Sequence, residues 1–203
     1  MAHLKTGDIL NKKYILVKQI GQGQFSSVWL GLNYDLHTYV AIKSFDDDNI
    51  NIGMNEIEIL NSIMKKKCTN CISYLEHFKF KNILFIIQEL MAGSLYSIMK
   101  AQYPNGFPLD IVQKMSRELL IALSSIHKNK LIHGDLKPEN ILVVGRSIEV
   151  ENIIKLIKLP ERTNIPHGKK SLRSKNTLNK NVLSIDIVAS NIKKIILDIS
   201  ESN

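Results

Sequence analysis

The sequence predicts an α+β fold: short strand-like runs come first, one helix interrupts them, and a longer helix follows. Three observations carry this. Apolar and β-branched runs over Tyr14–Ile20, Ser27–Leu32 and Thr38–Phe45 are separated by a glycine-rich break and a polar turn. Ile57, Leu60 and Ile63 share one face at helical spacing. From Asp110 onward a second stripe follows, made by Ile111, Met115, Leu119, Ala122, Leu123 and Ile126.

The elements follow in order. The first two strands flank Gly21 and Gly23, and the polar residues Asn33–Asp35 turn the chain into the third. A helix is expected over Ile52–Lys65, then strands near Ile72–Phe78 and Asn82–Glu89. The continuous apolar run Leu84-Phe85-Ile86-Ile87 is that of a buried strand. Asp110 is expected to open the long helix, with Gln113 completing a capping box, and the apolar stripe belongs to the core.

Residues 131–143 read LIHGDLKPENILV and carry the chemistry. A carboxylate (Asp135), an ammonium two residues on (Lys137) and a carboxamide five residues on (Asn140) share one short loop, and Pro138 stiffens it. Transfer of a phosphoryl group from ATP to a hydroxyl needs such a set: a base that orients the hydroxyl, a cation that offsets charge, and an oxygen ligand for magnesium. Further features stand upstream in order. Ile20-Gly21-Gln22-Gly23-Gln24-Phe25-Ser26-Ser27-Val28 contains two glycines that let backbone approach phosphate. Val40-Ala41-Ile42-Lys43 follows on a strand, and Glu56 stands at the start of the amphipathic stretch.

Together these stretches resemble the serine/threonine protein kinases: G-x-G with Val28, V-A-I-K, a helix glutamate, and the catalytic loop. The likeness spans about residues 7–144 and is closest in pattern to the SR-protein kinase group. Three stretches carry the narrower likeness: Gly7-Asp8-Ile9-Leu10-Asn11 before Tyr14, Gly23 to Leu30 with Ser26 at the third glycine position, and a non-arginine residue, Gly134, between His133 and Asp135. The resemblance implies an antiparallel small lobe with one helix, then the start of a helical large lobe. It implies Asp135 and Lys137 as catalytic, Asn140 as magnesium ligand, and ATP and Mg2+ as cofactors. Ile20, Gly21, Gln22, Gly23, Gln24, Phe25, Ser26, Ser27, Val28 and Lys43 would face the nucleotide, and Glu56, rather than its neighbour Glu58, would pair with Lys43. Glu89-Leu90-Met91 would be the hinge, with Glu89 and Met91 offering backbone to the adenine and Gln88 guarding the back of the pocket. His133 would organise the loop rather than shuttle protons.

The chain has 203 residues, 44% hydrophobic, and a formal net charge of +8. No signal-peptide core and no bilayer-length apolar run stands in it, so a soluble intracellular protein is expected, with cytoplasm and nucleus not distinguished. Cys68 and Cys71 make no disulfide framework. With His77 as the sole neighbouring ligand they fall short of a zinc site, so they read as loop residues. The character changes after Val144. Residues 141–203 hold no aromatic, and 11 Lys and Arg against 6 Asp and Glu give them +5 of the total. Lys169, Lys170, Arg173, Lys175 and Lys180 cluster where no acid stands, which reads as a largely disordered basic segment. A nuclear-import signal or an acidic partner would suit it, and an insert with no defined partner is the plainer reading. The resemblance implies a spacer at this point, before the D-F-G motif.

The expected division is therefore 1–13 as lead-in, 14–91 as small lobe with hinge, 92–150 as the start of the large lobe, and 151–203 as spacer or tail. No D-F-G and no A-P-E stands in the sequence. Asp198, preceded by Ile195-Ile196-Leu197, is the nearest substitute; the plainer reading is a surface charge. The expected function is a serine/threonine kinase cut short before D-F-G, acting on protein substrates, Ser/Arg-rich ones in the SR pattern, with a partner supplying the missing half. The alternative is a catalytically weak or inactive nucleotide-binding or interaction module. No membrane partner is expected, and a nucleic-acid partner rests only on the tail.

Overall fold

The computed structural model describes residues 4–145, 151–152 and 185–187. Within them the amino-terminal half forms one six-stranded sheet in the order β1-β2-β3-β4-β6-β5, antiparallel throughout. Its strands are β1 (Ile9–Leu10), β2 (Tyr14–Gln22), β3 (Ser27–Asn33), β4 (Thr38–Phe45), β5 (Tyr74–Phe80) and β6 (Ile83–Glu89), and α1 (Ile50–Lys65) lies between β4 and β5.

Alternation along the strands sorts two cores. Val40 and Ile42 of β4 join Leu16, Trp29, Phe85 and Ile87 on one face. Phe45, Leu84 and Ile86 join Ile57, Leu60 and Ile63 of α1 on the other, and that core runs on to Ile126 and Leu131 in the large lobe. Each of these side chains gains about 1.5–3 kcal/mol from burial. Lys43 shares the parity of Phe45, and its Nζ lies 5.2 Å from the Phe45 ring centroid. The α1 face of the sheet is therefore the one that carries the lysine.

Two glycines are demanded by packing. A Cβ on Gly31 would lie 2.2 Å from Ile42 Cδ1, and one on Gly53 2.6 Å from Leu84 Cδ2 and 2.8 Å from Phe45 Cδ2. Gly53 weakens α1 by about 1 kcal/mol relative to alanine. In return the helix settles onto the sheet one turn before Glu56.

The large lobe begins with β7 (Gly93–Ser94), α2 (Leu95–Gln102) and α3 (Leu109–Lys128). Ser94 caps α2 by accepting from Ser97 N. A three-stranded sheet orders β7-β8-β9, with β8 (Ile141–Val143) between β7 and β9 (Ile185–Ile187). The expected stripe of α3 holds: Met115, Ala122 and Ile126 are buried, and Ile111, Leu119 and Leu123 pack against the cores.

One expectation changes. Asp110 is not the cap: the N-cap is Pro108, without a side-chain hydrogen bond, and Asp110 lies in the first turn where its charge complements the helix dipole. The extended conformation of Pro108 hands over to the helix one residue early. Within 151–203, expected to be a largely disordered basic segment, Ile185–Ile187 pair with β8 as a short strand, because β8 offers its edge to that run. That strand also precedes Ile195-Ile196-Leu197, the run expected to lead into D-F-G; those residues, Asp198 and the lysine cluster lie outside the described residues. No helix among the described residues is long and apolar enough to cross a membrane.

A polar clamp ties β2 to β5. Lys13 Nζ and Tyr14 OH both donate to Glu76 Oε1, while the Tyr14 ring stacks on Phe78. Hydrogen bonds from Lys13, then from Tyr14, hold the Glu76 carboxyl below its usual range. Burial, then the bond to Glu76, pushes the Tyr14 phenol up to about 12. The lowered carboxyl contributes stability above its ordinary value of 4.5, lost as pH falls through the folded value. The raised phenol contributes below 10.0 and loses its part as pH rises through about 12. Urea midpoints of the wild type are therefore expected to fall on acidification below about 4.5, and those of Glu76→Gln to fall less. An identical acid limb in both proteins would remove the clamp from the account.

Candidate active site

β2 and β3 form a hairpin whose tip is closed by Gly23 N donating to Ser26 O at 2.8 Å. Gln22 braces it: its Oε1 accepts from Ser27 Oγ at 3.0 Å and from Gln19 Nε2. Ser44 Oγ of β4 donates to Ser27 O at 3.3 Å. Gln22, Gly23, Gln24 and Phe25 are exposed and Ser26 is half-buried. Ile20 stands exposed at the entry to the loop. Gly21 and Gly23 differ from Gly31 and Gly53, since a Cβ on either would meet only ordinary contacts at 3.4 Å. Nothing inside the fold requires them, so the missing side chains matter toward the outside, where they leave backbone open to a ligand.

Below the hairpin, Gly21 faces Val28, Val28 faces Lys43, and Lys43 faces Ile86 across successive strands. Lys43 Nζ donates to both Glu56 oxygens, at 2.9 and 2.6 Å. Both residues are buried, Lys43 at 7% exposure and Glu56 at 3%. Glu58 is exposed. An ammonium so enclosed has its position fixed by the helix, and Gly53 is what lets the helix come close enough. On the same face Gln88 lies between Ala41 and Tyr74 in the ladder. Gln88 is 5% exposed, yet its Nε2 has no hydrogen-bond partner. Leaving such a donor buried and unpaired costs about 1–3 kcal/mol, a debt that an acceptor from a bound molecule would cancel.

At the hinge the side chains point to other tasks. Glu89 Oε1 accepts from Ser73 N at 3.3 Å and Ser73 Oγ at 3.1 Å, and Met91 is part of the core. Neither side chain is turned to the Lys43 group by any of these contacts. Ala92 N, next along, donates to Val143 O at 2.9 Å, so the hinge is pinned to β8.

The loop before β8 is built around Asp135. Asn140 Nδ2 donates to Asp135 O at 2.9 Å and Oδ2 at 3.0 Å, so the amide is oriented by the aspartate it packs against. Lys137 Nζ lies 2.8 Å from Asp135 Oδ2, and that hydrogen bond raises the Lys137 pKa. Asp135 N donates to Nδ1 of the buried His133 at 3.3 Å, the organising role expected of that histidine. Pro138–Asn140 make one tight turn, closed by Asn140 N to Lys137 O at 2.9 Å. Gly134 has φ +75. Glycine adopts this left-handed conformation freely, where another residue would lose roughly 1 kcal/mol or more.

Two groups thus stand out: a helix-fixed ammonium under a bare-backbone hairpin, and a carboxylate–ammonium–carboxamide loop. The family model for the protein kinase domain matches residues 14–174. The chain belongs to the protein kinase domain family. A protein of Acanthamoeba polyphaga mimivirus named as a serine/threonine-protein kinase, L205, is 37% identical over 161 residues, 74% of this chain and 30% of that protein. Human dual specificity tyrosine-phosphorylation-regulated kinase 3 is 37% identical over 147 residues, 69% of this chain and 25% of that kinase. Serine/threonine-protein kinase AFC1 of Arabidopsis thaliana is 32% identical over 143 residues, 68% of this chain and 31% of that kinase. A crystallised kinase domain superposes with TM-score 0.64 at 30% identity, covering 70% of this chain and 42% of that one. The chain therefore spans about a third or less of these curated relatives.

Within this kinase domain, motif reading singled out Lys43, Glu56, Asp135, Lys137 and Asn140, and the structure brings them into the two groups described. It missed Gly53 and the conformational reason for Gly134. Gly53 had a signal, a glycine inside an otherwise periodic helix. The unpaired amide of Gln88 had none, because pairing is a property of the fold.

Proposed function

We propose that these residues are the nucleotide-binding and base-bearing part of a serine/threonine protein kinase that phosphorylates protein hydroxyls. The buried Lys43–Glu56 pair carries the reading. A lysine desolvated this far and held by one carboxylate is arranged to present charge to an anion. A purely structural role would be served as well by two apolar side chains.

The residues suit a magnesium nucleotide. Gly21 and Gly23 leave backbone open, Gln88 Nε2 lacks an acceptor, and the set of Asp135 and Asn140 offers hard oxygens of the kind magnesium takes. Lys43 would hold the α- and β-phosphates, the backbone of Glu89 and Met91 the adenine, and Asn140 Oδ1 the cation. When bound, the magnesium nucleotide supplies the phosphoryl group and neutralises part of its charge. Asp135 orients the incoming hydroxyl and accepts its proton on a carboxylate oxygen. Lys137, kept protonated by Asp135, turns its ammonium toward the charge that develops. His133 and Asn140 hold the Asp135 backbone and carboxylate in place.

The division into lead-in 1–13, small lobe 14–91, large-lobe start 92–150 and spacer or tail 151–203 belongs to this proposal, as do a Ser/Arg-rich substrate and a partner that completes the large lobe. The apolar residues Leu109, Val112 and Leu120 of α3 are exposed, which suits such a partner. The non-catalytic binding module is the second reading. Calorimetry on folded protein is expected to detect weak Mg-ATP binding, and Lys43→Ala to weaken it about tenfold or more, the scale of a lost charge-assisted contact. No binding by folded wild type would transfer the reading to the interaction module.

A further inference from the structure

α1 and α3 end side by side in two copies of one motif. At the end of α1, Lys67 N donates to Met64 O at 3.1 Å and Cys68 N to Ile63 O at 3.1 Å. At the end of α3, Lys130 N donates to His127 O at 2.9 Å and Leu131 N to Ile126 O at 3.1 Å. Both are Schellman caps, in which the residue after the cap turns left-handed and glycine is the usual choice. Here both positions are lysine, with φ +51 at Lys67 and +58 at Lys130. Each loses roughly 1 kcal/mol relative to a glycine in that conformation.

Helix dipoles do not account for this. Lys65 and Lys66 at the end of α1, with His127 and Lys128 at the end of α3, already complement the two negative termini. Lys67 and Lys130 add charge beyond that, at positions where charge has a backbone cost. Residues 59–75 and 119–134 contain no Asp or Glu. Among the described residues, no carboxylate forms an ion pair with Lys65, Lys66, Lys67, Lys128 or Lys130.

The two ends are also fixed to each other. Lys66 Nζ donates to Asn129 O at 2.8 Å, Thr69 N to Ser125 Oγ at 2.9 Å, and Asn129 Nδ2 to Cys68 Sγ at 3.4 Å. Five lysines therefore cluster at two helix ends that are bonded to each other. A groove of about 850 Å³ opens beside this corner, where Thr69, Ser125 and Lys128 form part of the wall.

We propose that this corner is a docking surface for an acidic polypeptide segment, whose Asp and Glu side chains meet the lysines while its backbone enters the groove at Thr69 and Ser125. A nucleic acid suits it less. The helix ends 59–73 and 119–134 hold no arginine for forked contacts and no aromatic for base stacking, and Arg117, which lines the groove, is paired with Glu118 at 3.1 Å. Single ammonium groups and hydroxyl donors match carboxylates and peptide carbonyls.

The test uses the full chain and the double variant Lys67→Gly/Lys130→Gly, which removes two charges and relieves both strained turns. Anisotropy of a labelled Asp/Glu peptide of about ten residues is read at low and moderate salt. The wild type is expected to bind, more weakly as salt rises, and the variant to bind about fivefold less tightly or worse, on the scale of two exposed ion pairs. Its thermal midpoint is expected to equal or exceed that of the wild type. Equal peptide binding by both proteins would overturn the proposal. So would tighter wild-type binding of duplex DNA than of the peptide, lost in the same variant, since the corner would then belong to nucleic acid. A lower thermal midpoint in the variant would show that the lysines serve the fold.

Discussion

Glu56→Ala is expected to remove about 3–5 kcal/mol of stability, the cost of leaving a buried ammonium without its partner. That is a large share of the total of a small domain, roughly 5–15 kcal/mol. Lys43 at 7% exposure has no route to water without moving α1, and the core around Phe45, Ile57 and Leu60 resists that movement. By contrast Asp47→Ala, which breaks the exposed pair with Lys79 at 3.9 Å, is expected to change stability by less than about 1 kcal/mol. The double variant Lys43→Met/Glu56→Leu should recover most of the loss, because two apolar side chains need no partner. Urea unfolding of the four proteins gives the comparison. If Glu56→Ala costs under about 1 kcal/mol, water reaches the pair and the site is more open than its geometry indicates. If the double variant is as unstable as the single one, the loss comes from packing and the charge argument fails.

The same region shows what the sequence could and could not convey. β4 was legible end to end, since Val40, Ile42 and Phe45 alternate between two cores as their spacing requires. α1 and α3 were legible by their stripes, and the motif residues by their likeness to the kinase pattern. The failures are local. β1 has two residues and depends on the left-handed pair Asn11 and Lys12, φ +47 and +55, which no apolar pattern announces. α2 has eight residues, none of them buried, so it offers no stripe to read. The start of α3 was misread because Asp110 has the chemistry of a cap while Pro108 holds the position. β9 was missed because a three-residue strand exists only where a neighbour lends its edge. Gly53 was legible as an oddity and intelligible only against Phe45 and Leu84.

The 203-residue chain by itself is expected to transfer phosphate to Ser/Arg-rich peptides at a negligible rate. In the proposed reading Asp135, Lys137 and Asn140, which are bonded to one another, would supply a base, a cation and one oxygen ligand. Among the described residues no three His, Cys, Asp or Glu side chains converge on a point that could hold a metal ion. The sequence contains no D-F-G to bring a further carboxylate, and charge neutralisation on the transferred group depends on such a ligand in kinases. The chain also covers only 42% of the crystallised kinase domain it superposes on, and Leu109 and Leu120 stand exposed on α3 at 73% and 65%. Those side chains are what a completing polypeptide would cover. Supplying the remaining part of a kinase large lobe, by fusion or in trans, is therefore expected to raise transfer above background. Asp135→Asn in that complex should lower it by about 10²–10⁴-fold, the range for a lost general base, while leaving Mg-ATP binding in place. Radiolabel transfer read alongside calorimetry separates the two effects. Robust transfer by the chain alone, abolished by Asp198→Asn, would overturn this account and make Asp198 the metal ligand. A completed lobe that binds Mg-ATP without transferring phosphate would leave the binding module as the function.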